Sequence, residues 1–440
     1  MTIYRATVLD TPDNPFAGGI LRAEADAGLT VDDGIIVDRG PFAAVRSRRP
    51  GDDVVDLRAG PLLPGLIDTH VHYPQLRVIG ALGMPLLEWL DQCALPEEAR
   101  LADVDYARDV AREFTSALVD AGTTSALVFG SHFPAAVEAL FDAATERGLR
   151  MTSGLVVGDR LLRPELHTTA ARAYQDGRAL ADRWHGKGRS RYAVIPRFSL
   201  SCSDDLLDSC AALHADLAGS WFTSHINENP AEIAKVRELF GGSYLDSYDK
   251  HGLVGPRTVF AHNVHPGDGE LELLADAGAT VSHCPTSNCA LGSGLFEMDR
   301  HLANGVAVAL GSDVGAGTGL SLFKEGLQAY LVQRMRGLDG MTLTAAQLLY
   351  LATAAGAAAL GIADQVGDLS VGKRFDAVWL RPDAGTPLEI GLRHAADADA
   401  AVGKLFALAT PHDVAEVWVD AIRIKNPAPR LSGMRKSVIV

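Results

Sequence analysis

The feature that most constrains this chain is an alternation repeated along its middle. Eight apolar, strand-like runs lie at 66–72, 123–129, 150–157, 192–199, 221–226, 258–263, 279–284 and 306–312. Between them lie stretches of helical patterning, among them 104–121, 135–148, 203–217, 229–240 and 267–278. Strands alternating with helices form parallel β/α units, because a parallel neighbour needs a long crossover connection. Eight such units close most simply into a (β/α)8 barrel, an α/β fold of TIM type. The rival is an open doubly wound sheet, which usually carries a G-x-G-x-x-G turn after its first strand. No such turn follows the run at 66–72.

The flanks of the barrel, expected at 67–365, read differently. Residues 1–66 and 366–440 carry short β-rich runs, such as 34–37, 54–57, 376–380 and 416–420, punctuated by Gly, Pro and Asp. Chain ends often lie close together, so both flanks are expected to build one small β-sandwich domain. One uncharged stretch, 341–363, is long enough to span a bilayer. It is mostly Ala, Thr and Gly and opens with a capping-box pattern, Thr344 to Gln347, so it reads as a small-residue helix buried against a sheet.

Charge and cysteine usage narrow the function classes. With 40 basic and 55 acidic residues the net charge is −15, which argues against nucleic acid or an anionic membrane surface as partner. The first residues lack a basic segment followed by an apolar core, so no secretory leader is expected. Five scattered cysteines with no C-x-x-C pair suit a reduced, cytoplasmic protein. A metal site in such a chain must be built mainly from His and carboxylates.

In an α/β barrel the chemistry sits at the C-terminal ends of the strands. The first run ends in His70-Val71-His72, and residues two apart in a strand project the same way. The fifth ends in His225-Ile226-Asn227-Glu228, the sixth in His262 and the eighth in Ser312-Asp313. Four strands of one barrel ending in His or Asp are hard to explain as satisfied edge residues. Together His70, His72, His225 and Asp313 offer three imidazoles and a carboxylate, a set suited to zinc with a position left open for water. An ion there makes hydroxide available near neutral pH. Glu228 is placed to carry protons, His262 to hold the water, and Asp313 to accept the water's first proton. Glu228 also suits the positive end of the following helix, and both roles are compatible.

Several runs resemble the guanine deaminases of the amidohydrolase superfamily. They are Pro64-Gly65-Leu66-Ile67-Asp68-Thr69-His70-Val71-His72-Tyr73-Pro74-Gln75, Leu86-Leu87-Glu88-Trp89-Leu90, Pro96-Glu97-Glu98 and Pro196-Arg197-Phe198-Ser199. Later come Ser224-His225-Ile226-Asn227-Glu228, Ala261-His262, His283-Cys284-Pro285-Thr286-Ser287-Asn288 and Gly311-Ser312-Asp313. Ser312 stands where Thr is commoner. The resemblance implies one zinc ion on His70, His72, His225 and Asp313, with Glu228 and His262 handling protons and His283 shaping the pocket. It implies that Gln75, Arg197 and Phe198 contact a purine, and that guanine is hydrolysed to xanthine and ammonia by a homodimer. Arg offers donors only, which suits a carbonyl beside a ring-nitrogen acceptor, while Phe198 offers a flat apolar face. The alternatives are the same chemistry on another ring (adenosine, S-adenosylhomocysteine or cytosine type) and a barrel without catalysis serving as a scaffold.

Overall fold

The structure, a computed structural model, describes residues 1–425. Residues 426–440 of the expected small domain lie outside the described residues. Four strands come first: β1 (Thr2–Asp10), β2 (Arg22–Asp32), β3 (Ile35–Pro41) and β4 (Asp53–Pro64). Eight follow: β5 (Leu66–His72), β6 (Thr123–Ser131), β7 (Arg150–Val157), β8 (Ser190–Pro196), β9 (Trp221–Ile226), β10 (Thr258–His262), β11 (Thr280–His283) and β12 (Ala307–Leu310). The last are β13 (Ala377–Leu380), β14 (Val414–Val419) and β15 (Ile422–Lys425).

Strands β5 to β12 pair in chain order, each parallel to the next, as the alternation predicts. The ring closes just past β12, where Asp313 N donates to His70 O at 2.8 Å and His72 N to Val314 O at 2.9 Å. Barrel strands are covered on both faces, which is why they read as continuous apolar runs. Several of the helices between them start at side-chain caps. Asp103, Ser203 and Asn229 accept from the first-turn N–H groups of Val104–Asp120, Asp204–Asp216 and Pro230–Phe240.

Both chain ends join one mixed sheet, ordered β15-β14-β13-β4-β1-β2-β3. On a flat sheet Trp418 of β14 and Tyr4 of β1, three strands apart, would be about 14 Å apart. Their ring centroids are 5.8 Å apart, and Tyr4 stacks on Phe375 at 4.3 Å. The sandwich-like core is therefore made by one continuous sheet curling over its own apolar face. This sheet is tied to the N-terminal end of the barrel, where Arg150 Nε donates to Asp376 at 2.7 Å and Arg189 Nε to Asp420 at 2.6 Å. The opposite mouth is left to the site.

The uncharged stretch forms two helices, Ala345–Ala352 and Ala354–Ala359, with the predicted capping box at Thr344. The second helix packs against the barrel floor. A Cβ on its Gly356 would come within 2.8 Å of Ile67 Cβ, and Trp221 Nε1 donates to Ala359 O at 3.0 Å. Its small residues serve that close approach. No helix among the described residues is long and apolar enough to cross a membrane.

Candidate active site

The C-terminal ends of β5, β9, β10 and β12 meet at one buried point. His72 Nε2 lies 3.2 Å from His70 Nε2 and 3.2 Å from His225 Nε2. Asp313 Oδ1 is 3.2 Å from the Nε2 atoms of both His70 and His72. Ligand atoms about 2.0–2.1 Å from a tetrahedral zinc are about 3.3 Å apart, so these four donors already have the spacing of a metal polyhedron. Two further observations fit a metal. Burial keeps His70 and His225 below the ordinary imidazole range and His72 at about 4, so all three are neutral donors. Burial works against ionisation of Asp313, but contacts with His70 and His72 prevail and hold its carboxyl well below the usual range.

The chain's local build serves this convergence. Asp313 (φ +45°), His262 (φ +71°), Asn227 (φ +49°) and Asn263 (φ +49°) are left-handed without being glycine, all at or just past the C-terminal ends of β9, β10 and β12. Such backbone persists only where surrounding contacts hold it. Gly311 is required beside them, since a Cβ there would lie 2.4 Å from Ser282 Oγ and 2.8 Å from His70 Cβ. Ser312 donates through its hydroxyl to Asp68 at 2.5 Å, a bond Thr would make equally well.

Glu228 and His262 flank the cluster. His262 Nε2 is 3.5 Å from Glu228 Oε2 and 3.7 Å from Asp313 Oδ2. Donor atoms of His70, His225, His262 and Asp313 all lie within 4.8 Å of one another, and His262 Nδ1 is 2.9 Å from Asn288 Oδ1. Burial, reinforced by the charge of Asp313, pushes the Glu228 carboxyl well above its ordinary value. A carboxyl kept protonated beside an imidazole can both give and take a proton.

A cavity opens on these groups. It is lined by His72, His225, Glu228, His262 and Asp313, by Gln75, Arg197 and Phe198, and by the apolar Leu86, Trp89, Leu90, Leu291 and Ala316. Each sequence-predicted metal, proton-handling and purine-contacting residue is thus at this place, His70 just behind it. Gln75 is partly committed, since its Nε2 donates to Glu98 at 2.7 Å and its Oε1 accepts from Gly315 N at 3.0 Å. Arg197 Nη1 donates to both oxygens of Glu98 at 2.8 and 3.0 Å. No hydrogen bond joins its Nε or Nη2 to another described residue. His283 does not line the cavity; it stacks on Phe296 with centroids 4.2 Å apart.

The amidohydrolase family pattern matches residues 62–423. The chain is 59% identical to the "probable guanine deaminase" of Deinococcus radiodurans, over 95% of this chain and 97% of that one. This chain belongs to the guanine deaminase family of amidohydrolases. Its fold superposes on the guanine deaminase of Escherichia coli with a TM-score of 0.93 at 34% identity, covering 97% of this chain and all of that one. It superposes on the C. acetobutylicum guanine deaminase, solved with guanine in its active site, with a TM-score of 0.89 at 27% identity, over 96% and 99% of the two chains.

Within this amidohydrolase site, sequence reasoning passed over the residues that hold the others in place. Ser287 Oγ donates to Asp313 Oδ2 at 2.6 Å, and Ser293 Oγ to Glu228 Oε1 at 3.2 Å. Glu98 and His132, 3.3 Å apart, are both buried beneath Arg197. The polar run Thr286-Ser287-Asn288 directly after a strand end was a legible signal for the first of these. Glu98 stands in the family-like run Pro96-Glu97-Glu98, but nothing there marks a role for it, and it reads as an ordinary first-turn helix acid.

Proposed function

We propose that this chain catalyses hydrolytic deamination of guanine to xanthine and ammonia, with one zinc ion held by His70, His72, His225 and Asp313. The observation that carries the reading is a single cavity lined both by three of those donors, His72, His225 and Asp313, and by Arg197, whose Nε and Nη2 have no hydrogen-bond partner among the described residues. Those donors suit the ring carbonyl and an adjacent ring-nitrogen acceptor of guanine. Adenine would present an amino group there, opposing donor to donor, which favours guanine over the adenosine-type alternative. Phe198, with Trp89 and Leu291 lining the same cavity, offers apolar surface for a flat ring.

His70, His72, His225 and Asp313 would hold the ion, which would supply hydroxide near neutral pH by lowering the pKa of its water. Asp313 Oδ2 and His262 Nε2 flank the approach of that water and orient it toward the amino-bearing ring carbon. Glu228 delivers its proton to the neighbouring ring nitrogen, collects one from the water and passes it to the departing amino group, and is reprotonated by the added hydroxyl as the new carbonyl forms. The balance is one C–N bond broken and one C–O bond formed. One water proton ends on the ring and the other on ammonia. Arg197 and Gln75 hold the far edge of the ring still throughout.

Incubating purified protein with guanine and identifying xanthine and ammonia tests the reading, with adenine, adenosine and cytosine in parallel. Turnover of one of these rings without turnover of guanine would overturn it. Protein free of metal and inert on all of them would favour the scaffold alternative instead. A division into a composite flank domain (1–66 and 366–440) around a barrel (67–365), a cytoplasmic location and a homodimer complete the proposal. An exposed apolar row at Leu331, Met335 and Leu338 supports the dimer, which sedimentation would test.

A further inference from the structure

A carboxylate buried beneath the substrate-facing side chains has no part in the chemistry described above. Glu98, on the short helix Leu95–Arg100, is 2% exposed and does not line the cavity. It nevertheless gathers three side chains from three different connections. It accepts from Gln75 Nε2 at 2.7 Å and from Arg197 Nη1 at 2.8 and 3.0 Å, and it lies 3.3 Å from His132 Nε2. A buried carboxylate is stable only when its oxygens are paired. Burial opposes its ionisation, but Arg197 and His132 hold the carboxyl at about 2, so it is charged at neutral pH.

The geometry assigns Glu98 as a positioning residue for substrate recognition: it pins Arg197 by one guanidinium nitrogen and Gln75 by one amide hydrogen, so that their remaining donors face the ring. The argument is one of inventory. Arg has five N–H groups in a rigid planar fork, and fixing Nη1 fixes the direction of the rest. Gln75 is anchored twice, by Glu98 and by Gly315 N, which leaves one amide hydrogen and one lone pair free. Without the anion, the guanidinium would keep its charge in a buried site with no partner and would turn toward whatever acceptor it could reach.

This inference rests on the guanine reading for its kinetic test but not for its structural one. In the zinc-loaded enzyme, Glu98→Gln places an amide donor against Arg197 Nη1. It should lower kcat/KM for guanine by roughly tenfold to a hundredfold, mainly through KM, because the grip on the ring is shared by ground and transition states. Zinc content should be unchanged. Glu98→Asp keeps the charge on a shorter stem and should recover part of the loss. Because Glu98 acts through its partners, adding Glu98→Gln to Arg197→Ala should cost less than about threefold more, whereas independent sites would multiply. A KM within about twofold of wild type, or full additivity in the double variant, would overturn the assignment. So would a crystal structure of the Gln variant with Arg197 and Gln75 unmoved; if that variant does not fold, the same comparison on Glu98→Asp decides. Should the wild type fail to turn over guanine, the functional reading falls, and the crystallographic comparison still judges Glu98.

Discussion

His225 Nδ1 donates to the backbone carbonyl of Arg197 at 2.5 Å. One residue thus aims an imidazole at the metal point with its main chain and reaches the substrate cavity with its side chain. The bond puts the proton on Nδ1 and leaves the Nε2 lone pair facing His72 and the cluster, the tautomer a metal ligand requires. Metal and substrate ends of the site are therefore set by one short stretch at the end of β8.

This relationship separates the two functions of Arg197 in an experiment. Arg197→Ala deletes the guanidinium but keeps the carbonyl, so metal content should stay at wild-type level. Losing hydrogen bonds from a charged group costs on the order of 1.5–3 kcal/mol, or about tenfold to a hundredfold in kcat/KM for guanine. Lys in its place should rescue only partly, because it lacks the planar fork. Steady-state kinetics on guanine and adenine should show the ratio between the two bases narrowing. Guanine efficiency within about twofold of wild type would remove Arg197 from the substrate site.

Glu228→Gln should fold and bind metal normally, since Gln still accepts from Ser293 and fills the same volume. It cannot carry a proton, and turnover should fall by about 10²- to 10⁴-fold. Single-turnover measurements that retain the wild-type rate would show that protons travel by another route.

Removal of metal should abolish turnover, and added zinc should restore it. Elemental analysis of washed protein should find about one ion per chain, because a second would need a bridging group such as a modified Lys, and no Lys stands at a barrel strand's C-terminal end. Binding to the folded state alone also stabilises it, by about 4 kcal/mol at a thousandfold excess over Kd, so the midpoint of thermal unfolding should rise on reloading. Full activity in metal-free protein would contradict the proposed chemistry.

Acid should weaken the seam between the chain ends. Asp10 is fully buried, accepts from Arg22 Nε at 2.8 Å and Arg39 Nη1 at 2.9 Å, and takes Leu369 N at 2.8 Å. Burial works against its charge, yet the two arginines outweigh burial and hold its carboxyl below the ordinary value. The folded state then stays ionised where the unfolded chain begins to bind protons. The stabilisation is present above the unfolded value of about 4 and is lost as pH falls through the folded one. Asp10→Ala, which removes the carboxylate shared by Arg22 and Arg39 while leaving Arg39 its bond to Glu24 and Arg22 its place near Asp368, should cost about 1.5–3 kcal/mol at neutral pH and flatten the acid limb. Urea unfolding at neutral pH, and along a series from about pH 5 down to about pH 2, gives both numbers.

The sequence by itself determined the elements and the reactive set. Barrel strands are covered on both faces and helices on one, so their hydrophobic periods are written locally, and boundaries such as Leu66–His72 and Val104–Asp120 fall within about a residue of expectation. The proposed metal and proton-handling residues stand out because each sits at the end of a readable strand, and the proposed purine contacts because of the resemblance. Tertiary structure alone decided how those residues are held. Glu98 meets Arg197 across 99 positions, Ser287 meets Asp313 across 26, and Asp10 meets Leu369 across 359. Gln75, free in sequence, is half committed in the fold, and His283, at a strand end like the ligands, turns to stack on Phe296. The physical reason is that periodicity reports which face of an element is buried. A buried polar atom takes whichever partner the closed barrel brings within hydrogen-bonding distance, and that distance exists only once the chain has folded.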